Sequence, residues 1–211
     1  LAGVEIPARA RALRTVALEL ERLYNHVGDL GNISAGGSYH YGTSAGLRMK
    51  EALQQVGEEL TGSRFLRGLV MPGGVRLDVT PPLARSLGAA LSATEEALAS
   101  LVDRMENSPS FLDRCVTTGV LTHEQAVGLA VTGVGARASG VDRDARRDHP
   151  HAAYDREGDL AVRVVTEGAG DVQARLLVRI AEARESMRLL RALLGARPLL
   201  SETFEPSRSR S

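Results

Sequence analysis

After Pro7, a residue suited to the first turn of a helix, the apolar residues Leu13, Val16, Leu20, Leu23, Val27 and Leu30 recur at steps of three and four. The pattern predicts a long amphipathic helix from about Pro7 to Asp29. The following stretch, "GNISAGGSYHYGTSAG", is rich in Gly and Ser without helical period and reads as a loop. Met49, Leu53, Val56 and Leu60 predict a second helix, stopped by Gly62 where a left-handed cap is wanted. In "FLRGLVMPGGVRLDV" two short apolar runs flank "PGG", with Pro72 and Gly73 fitting the centre of a type II turn, so a small β-hairpin is expected.

Thr80 and Pro81 open a third helix with a seam of Leu87, Leu91, Thr94, Leu98, Leu101 and Met105, ended by "NSPS". A short helix follows in "THEQAVGLAVTG", where Thr122 and Gln125 have capping-box spacing. Residues 135–159 carry both signs of charge and no apolar period, which predicts one long charged loop; loops of that length tend to be functional or disordered. Asp171 caps a last long helix whose seam is Leu176, Ile180, Ala183, Met187, Leu190 and Leu194, with Gly195 and Pro198 ending it. The expected fold class is mainly α: a bundle of long helices with shorter helices, a small β-hairpin and one long charged loop. Residues 1–198 form the helical core, and 199–211 a disordered polar tail.

Composition narrows the function. Lys+Arg and Asp+Glu balance at 26 each in 211 residues, which leaves no positive excess for nucleic acid. Aromatics are 3% with no Trp, so aliphatic seams must fill the interior and base-stacking surfaces are not expected. No apolar run approaches the roughly 20 residues of a membrane span. The single cysteine, Cys115, cannot supply a clustered thiolate site and reads as a buried small side chain, so no metal site is expected within the segment. The opening "LAGVEIPARA" lacks signal-peptide character and an initiator Met, and the chain reads as a segment of something longer.

Along the first helix, Arg11, Glu19, Arg22, His26 and Asp29 lie largely away from the aliphatic face. Pattern alone makes this a solvated charge ladder with three- and four-residue pairing. Asp29 stands in the last turn of that helix, where the dipole disfavours an acid by about 0.3 to 1 kcal/mol, so a cation or a buried polar network is expected beside it. His149 and His151 lie near Asp144, Asp148 and Asp155 and offer metal-ligating types, but a loop held by its own salt bridges accounts for them better. The glycine-rich stretches lack the strand-to-helix context of a phosphate-binding loop.

Taken in order, "IPARARALRTVALELERLYNHVGDLG", "RMKEALQQVGEELTGSRFLRGLVMPGGVRLDV", "SPSFLDRCVTTGVLTHEQAVGLAVTGVGARASGVDRDARRDHPHAAYD" and "GDVQARLLVRIAEARESMRLLRALL" resemble the large subunit of membrane-associated nickel-iron hydrogenases. They also resemble its sibling, the large subunit of respiratory complex I that helps form the quinone site. The "NHVGDLG" stretch resembles the formate-hydrogenlyase type more closely. The leading expectation is therefore a segment of a hydrogenase-like oxidoreductase large subunit, moving electrons between an iron-sulfur chain and protons or quinone. The alternatives are a complex I-type NADH-quinone oxidoreductase large subunit and a non-catalytic helical scaffold that has lost the metal site.

The resemblance implies a small iron-sulfur subunit and other subunits of a membrane-bound redox complex as partners, iron-sulfur clusters on a partner subunit, and a peripheral position on the cytoplasmic side of the membrane. It also implies a nickel-iron centre or a quinone if flanking regions exist. Hydrogenases of this family hold nickel and iron with two Cys-x-x-Cys pairs near the ends of the subunit, and neither pair is present here. In complex I relatives the tyrosine and histidine that meet quinone lie upstream of the first helix. An acidic residue common to both branches is replaced here by Gly36, and an aromatic of the complex I branch by Ala45. The matching positions are His26, Asp29, Arg137, Ser139, Gly140, Asp142 and Arg146, which the resemblance places near the redox cavity as candidate cavity-shaping and proton-relay residues.

Overall fold

The computed structural model describes residues 5–154 and 158–195. The expected tail at 199–211, the stop signal at Pro198 and the candidate metal neighbour Asp155 lie outside the described residues. Four long helices, α1 (Ala8–Gly36), α2 (His40–Thr61), α3 (Pro81–Glu106) and α8 (Val172–Gly195), pack in a ring: α1 on α2, α2 on α3, α3 on α8 and α8 on α1. Short helices α4 (Pro109–Cys115), α5 (His123–Gly128), α6 (Gly133–Ala138) and α7 (Ala145–Asp148) connect α3 to α8. The fold is mainly α, as the apolar periods predict.

The aliphatic seams meet at the centre of the ring. Leu20, Leu23 and Val27 of α1, Leu53 of α2, Leu98 of α3 and Leu190 of α8 are all buried in one core cluster. Removing that apolar area from water is the main stabilising term, at about 25 cal/mol per Å². Cys115 is buried in the same cluster, as expected of a small apolar side chain. The strands β1 (Val70–Met71) and β2 (Gly74–Val75) pair antiparallel, Val70 with Val75 and Met71 with Gly74. Gly73 has φ +80°, the left-handed value that the second central position of a type II turn requires. Arg14 ties this hairpin to α1 by donating from Nη2 to the carbonyls of Met71 at 2.8 Å and Gly74 at 2.9 Å.

The three predicted caps form. Gly62 takes the left-handed conformation, φ +72°, at the end of α2. Thr122 and Gln125 make the reciprocal capping box, and the Asp171 carboxylate accepts from the Ala174 amide at 2.7 Å.

Two expected loops are corrected. The Gly/Ser stretch 31–46 is almost entirely helical, interrupted only by Gly37, Ser38 and Tyr39 between α1 and α2. Three of its glycines, Gly31, Gly42 and Gly46, serve packing between helices: a Cβ on Gly46 would lie 2.6 Å from the Gly31 nitrogen and 2.7 Å from the Val27 carbonyl oxygen. Only a residue without a side chain lets the two backbones approach that closely. The charged loop at 135–159 is likewise broken up, by the end of α6 and by α7. A further helix, α4, follows the predicted stop after α3; Pro109 occupies its first turn, where a missing N–H costs nothing.

Candidate functional site

Along α1, Glu19, Arg22, His26 and Asp29 are spaced three, four and three residues apart, which places them on one stripe. That stripe faces α8 and the α6–α7 segment, so the exposed charge ladder read from the sequence is corrected for its middle members. Glu19 and His26 are buried, and Arg22 is half-buried. Arg11, at the other end, is exposed. Helix α8 runs antiparallel to α1, as the pairs His26–Glu182 and Asp29–Arg179 require.

Glu182, only 2% exposed, is the hub. Arg137 Nε donates to its Oε1, Arg22 Nη2 lies 2.7 Å from its Oε2, and His26 Nε2 lies 3.0 Å from that same oxygen. A second hub sits one layer away. Arg146 donates to Glu19 Oε1 at 2.8 Å and grips both oxygens of Asp144, at 3.0 and 2.8 Å, in the fork geometry a guanidinium favours. The Tyr154 hydroxyl donates to Glu19 Oε1. Arg22 lies 3.7 Å from Asp144 and joins the two hubs. Three guanidinium groups, of Arg22, Arg137 and Arg146, thus face three carboxylates, of Glu19, Asp144 and Glu182, in a largely buried and charge-balanced network.

Burial favours the neutral form of an ionisable group, and its partners decide the outcome. For Asp144, burial pushes the carboxyl upward, but the hydrogen bonds and charge of Arg146 outweigh it and hold the pKa at about 2. For Glu182, burial is likewise overcome by the contacts with His26, Arg22 and Arg137, again to about 2. Burial lowers the pKa of Arg22 below its ordinary value, and the Arg146 charge adds to this. Burial lowers His26 as well, with the Glu182 contact opposing and the Arg22 charge reinforcing the shift, so the ring is neutral at pH 7. Burial and the Glu19 carboxylate raise the Tyr154 phenol far above its usual range. The arrangement is one of fixed charges around a neutral imidazole.

The residues singled out from the sequence divide into two groups. His26, Arg137 and Arg146 enter the network. Asp29, at its edge, is held by Arg179 at 2.6 Å. The expected placement in a last helical turn is corrected: α1 runs on to Gly36, two turns beyond Asp29, so the pairing does not answer the helix dipole. Ser139 is buried but serves another purpose: its hydroxyl donates to the carbonyls of Leu121 at 2.7 Å and Gly135 at 3.0 Å. Gly140 turns the chain with φ +81°. Asp142 is exposed and pairs with Arg147, away from the network. The sequence reading missed Glu182 and Arg179 as site residues. A signal was available, because α8 carries Val178, Leu189 and Leu193 outside its predicted seam, and a helix apolar on several faces buries its acids too.

Between α1, the hairpin and the 151–152 turn lies a recess of about 460 Å³, walled by Ile6, Ala17, Leu18, Leu69 and Val70, with His151 at its edge. Its volume is within the range of small-molecule sites, and it has the apolar lining with a few polar groups that such sites share. Among the described residues no group of three His, Cys, Asp or Glu side chains is placed to hold a metal ion, and His149 and His151 are exposed. No described helix is long and apolar enough to cross a membrane.

Comparison with known proteins agrees with the resemblance read from the sequence and refines it. Residues 40–204 match the family described as respiratory-chain NADH dehydrogenase, 49 Kd subunit. Among curated proteins, the chain is 34% identical over 194 residues to an NADH-quinone oxidoreductase subunit of Opitutus terrae, covering 92% of this chain and 45% of that protein. It is 31% identical over 202 residues to the corresponding protein of Flavobacterium johnsoniae, covering 96% and 48%, and 31% identical over 199 residues to that of Roseiflexus sp., covering 94% and 52%. The chain spans about half the length of the curated relatives it matches.

Proposed function

The chain belongs to the respiratory-chain NADH dehydrogenase 49 Kd subunit family, and on that premise we propose that it is part of the large subunit of an NADH-quinone oxidoreductase-type complex. The names of its relatives favour this reading over the hydrogenase one suggested by "NHVGDLG". A nickel-iron centre needs clustered thiolates, whereas Cys115 stands alone and packed in the aliphatic core, so the described residues do not themselves fit that group. The recess beside α1 suits an apolar redox substrate of quinone class, which the other half of such a subunit would help enclose.

The observation that carries the proposal is the buried network on α1 and α8. Buried ion pairs add little net stability compared with apolar packing, so a balanced set of six charges calls for a reason other than folding. In this reading the network fixes the wall of the redox cavity. Glu182 orients Arg22, Arg137 and His26, while Arg146 locks Glu19, Asp144 and Tyr154. His26 is the base that can accept a proton: negative charge arriving at a neighbouring centre raises its proton affinity, and Glu182 stabilises the imidazolium that results. Electrons reach the cavity from iron-sulfur clusters on a small partner subunit, and the chain is a peripheral part of a membrane-associated complex.

The test is metal analysis together with NADH oxidation on the complex purified with its natural partners. A nickel-free preparation that reduces quinone is expected. Stoichiometric nickel with hydrogen turnover would move the assignment to the hydrogenase branch, and a complex inert in both assays would make the subunit a scaffold.

A further inference from the structure

On its way from α7 to α8 the chain passes over α1, and it is anchored on either side of that passage. Before it, Arg146 grips Asp144 and Glu19, and Arg147 pairs with Asp142 and Asp148. Beyond it, Arg188 donates to the carbonyls of Asp159 at 2.6 Å and Ala161 at 2.7 Å, while Glu185 accepts from the Arg163 amide at 2.9 Å. Between these anchors, residues 149–154 form a strap. Its Ala153 amide donates to Thr15 Oγ1 at 2.9 Å, and its Tyr154 hydroxyl donates to Glu19 Oε1.

Tyr154 alone is buried among the six strap residues. Its ring packs with Val162 and with Leu189 of α8, and its hydroxyl reaches Glu19 of α1, so it plugs the seam between the two helices. The plug closes the Glu19 end of the charge network, where Glu19 is fully buried. Closure carries two costs. Ala152 has φ +56°, the left-handed region in which its Cβ crowds the following carbonyl. Glu19 Oε2 is buried without a hydrogen bond, a cost that ends when water reaches the carboxylate. A segment held by one buried side chain and few backbone hydrogen bonds opens separately from a core.

We propose that the strap 149–154 is a gate: turning about Ala152, it withdraws Tyr154 from between α1 and α8 and admits water to the Glu19–Arg146 end of the buried network. Closed, it seals that end; open, it relieves the backbone of Ala152 and hydrates Glu19. The gate's role as a water entrance to a redox cavity rests on the proposed function, whereas the opening itself does not.

Hydrogen exchange resolved to single amides, together with tyrosine nitration, tests the gate on the complex purified with its natural partners. Neither measurement involves turnover, so failure of the gate and failure of the redox reading are separate results. The Ala153 amide should exchange faster than the α1 amides of Leu20 and Leu23, which open only with the core. Ala152→Gly should raise the Ala153 protection factor about twofold to fivefold, because glycine takes the left-handed conformation freely and gives back part of that gain as entropy in the open strap. Nitration of Tyr154 by tetranitromethane should slow by the same factor. Tyr154→Phe should lower the protection of Ala153 about tenfold and leave that of Leu20 and Leu23 unchanged. Exchange of Ala153 in step with Leu20 and Leu23 would overturn the proposal, as would an Ala152→Gly variant whose Ala153 protection or Tyr154 nitration is unchanged.

Discussion

Helix α1 is held on its two sides by different physics. Against α2 it packs by shape: Val27 and Leu30 are fully buried, and Gly31 touches Gly46 backbone to backbone. Against α8 and the α6–α7 segment it packs by charge, through Glu19, Arg22, His26 and Asp29. The first contact stabilises by excluding water and tolerates any change that preserves volume. The second holds only while every member keeps its partner, because a carboxylate or guanidinium left alone in the interior loses its hydration without return. A helix that needed only to fold would have little use for the second kind, which is why the proposed function assigns a role to the polar side.

The largest expected effect lies at the hub of the polar side. Glu182→Ala strands Arg22 and Arg137 and should cost about 3–5 kcal/mol in urea unfolding. Exchanging Arg22, Arg137 and Glu182 together for apolar residues of similar volume should recover most of that loss; a triple variant no better than the single one would show that the network is needed for the fold.

Acid should loosen the polar side before the aliphatic one. Asp144 and Glu182 have pKa values depressed to about 2 from ordinary values of 3.8 and 4.5, so the stability they contribute is present above those ordinary values and is lost as the pH falls toward 2. The shifts correspond to about 2–3 kcal/mol each. His26 is a base whose pKa is lowered from 6.5 in the folded state, so its contribution is present above pH 6.5 and declines below it. Stability measured from pH 8 to 2 should therefore fall in two stages, and His26→Gln should remove the first.

On the aliphatic side, Gly46→Ala forces a methyl group against the Gly31 and Val27 backbone and should cost about 1–3 kcal/mol with little change in pH dependence. The smallest effect belongs to the rim. The Asp29 side chain is 38% exposed, so Asp29→Asn should change the unfolding free energy by less than about 1 kcal/mol, and added salt should shrink the difference further.

The same contrast explains what could be read from the chain. The seams of α1, α3 and α8 were legible because a core-facing helix repeats its apolar residues every three or four positions, and the Thr122 and Asp171 caps because they are local. The Gly/Ser stretch misled because glycine signals a turn locally, whereas Gly31 and Gly46 are there for a partner helix. The charged segment read as one loop because Arg137 and Arg146 find their carboxylates on α8 and α1, 45 and 127 residues away in sequence. His26, Arg137 and Arg146 were reached through the family resemblance; Glu182, which holds two of them, stood in a helix whose predicted seam left it unnoticed.

The most direct test of the polar side as part of the redox cavity is Glu182→Gln in the assembled complex, with quinone-dependent NADH oxidation followed across pH. Glutamine retains the size and one acceptor oxygen but cannot stabilise a protonated His26. The account predicts a complex that assembles normally and turns over at least tenfold more slowly, with a shifted pH profile. Full turnover with an unchanged profile would contradict it and leave the network a purely structural device.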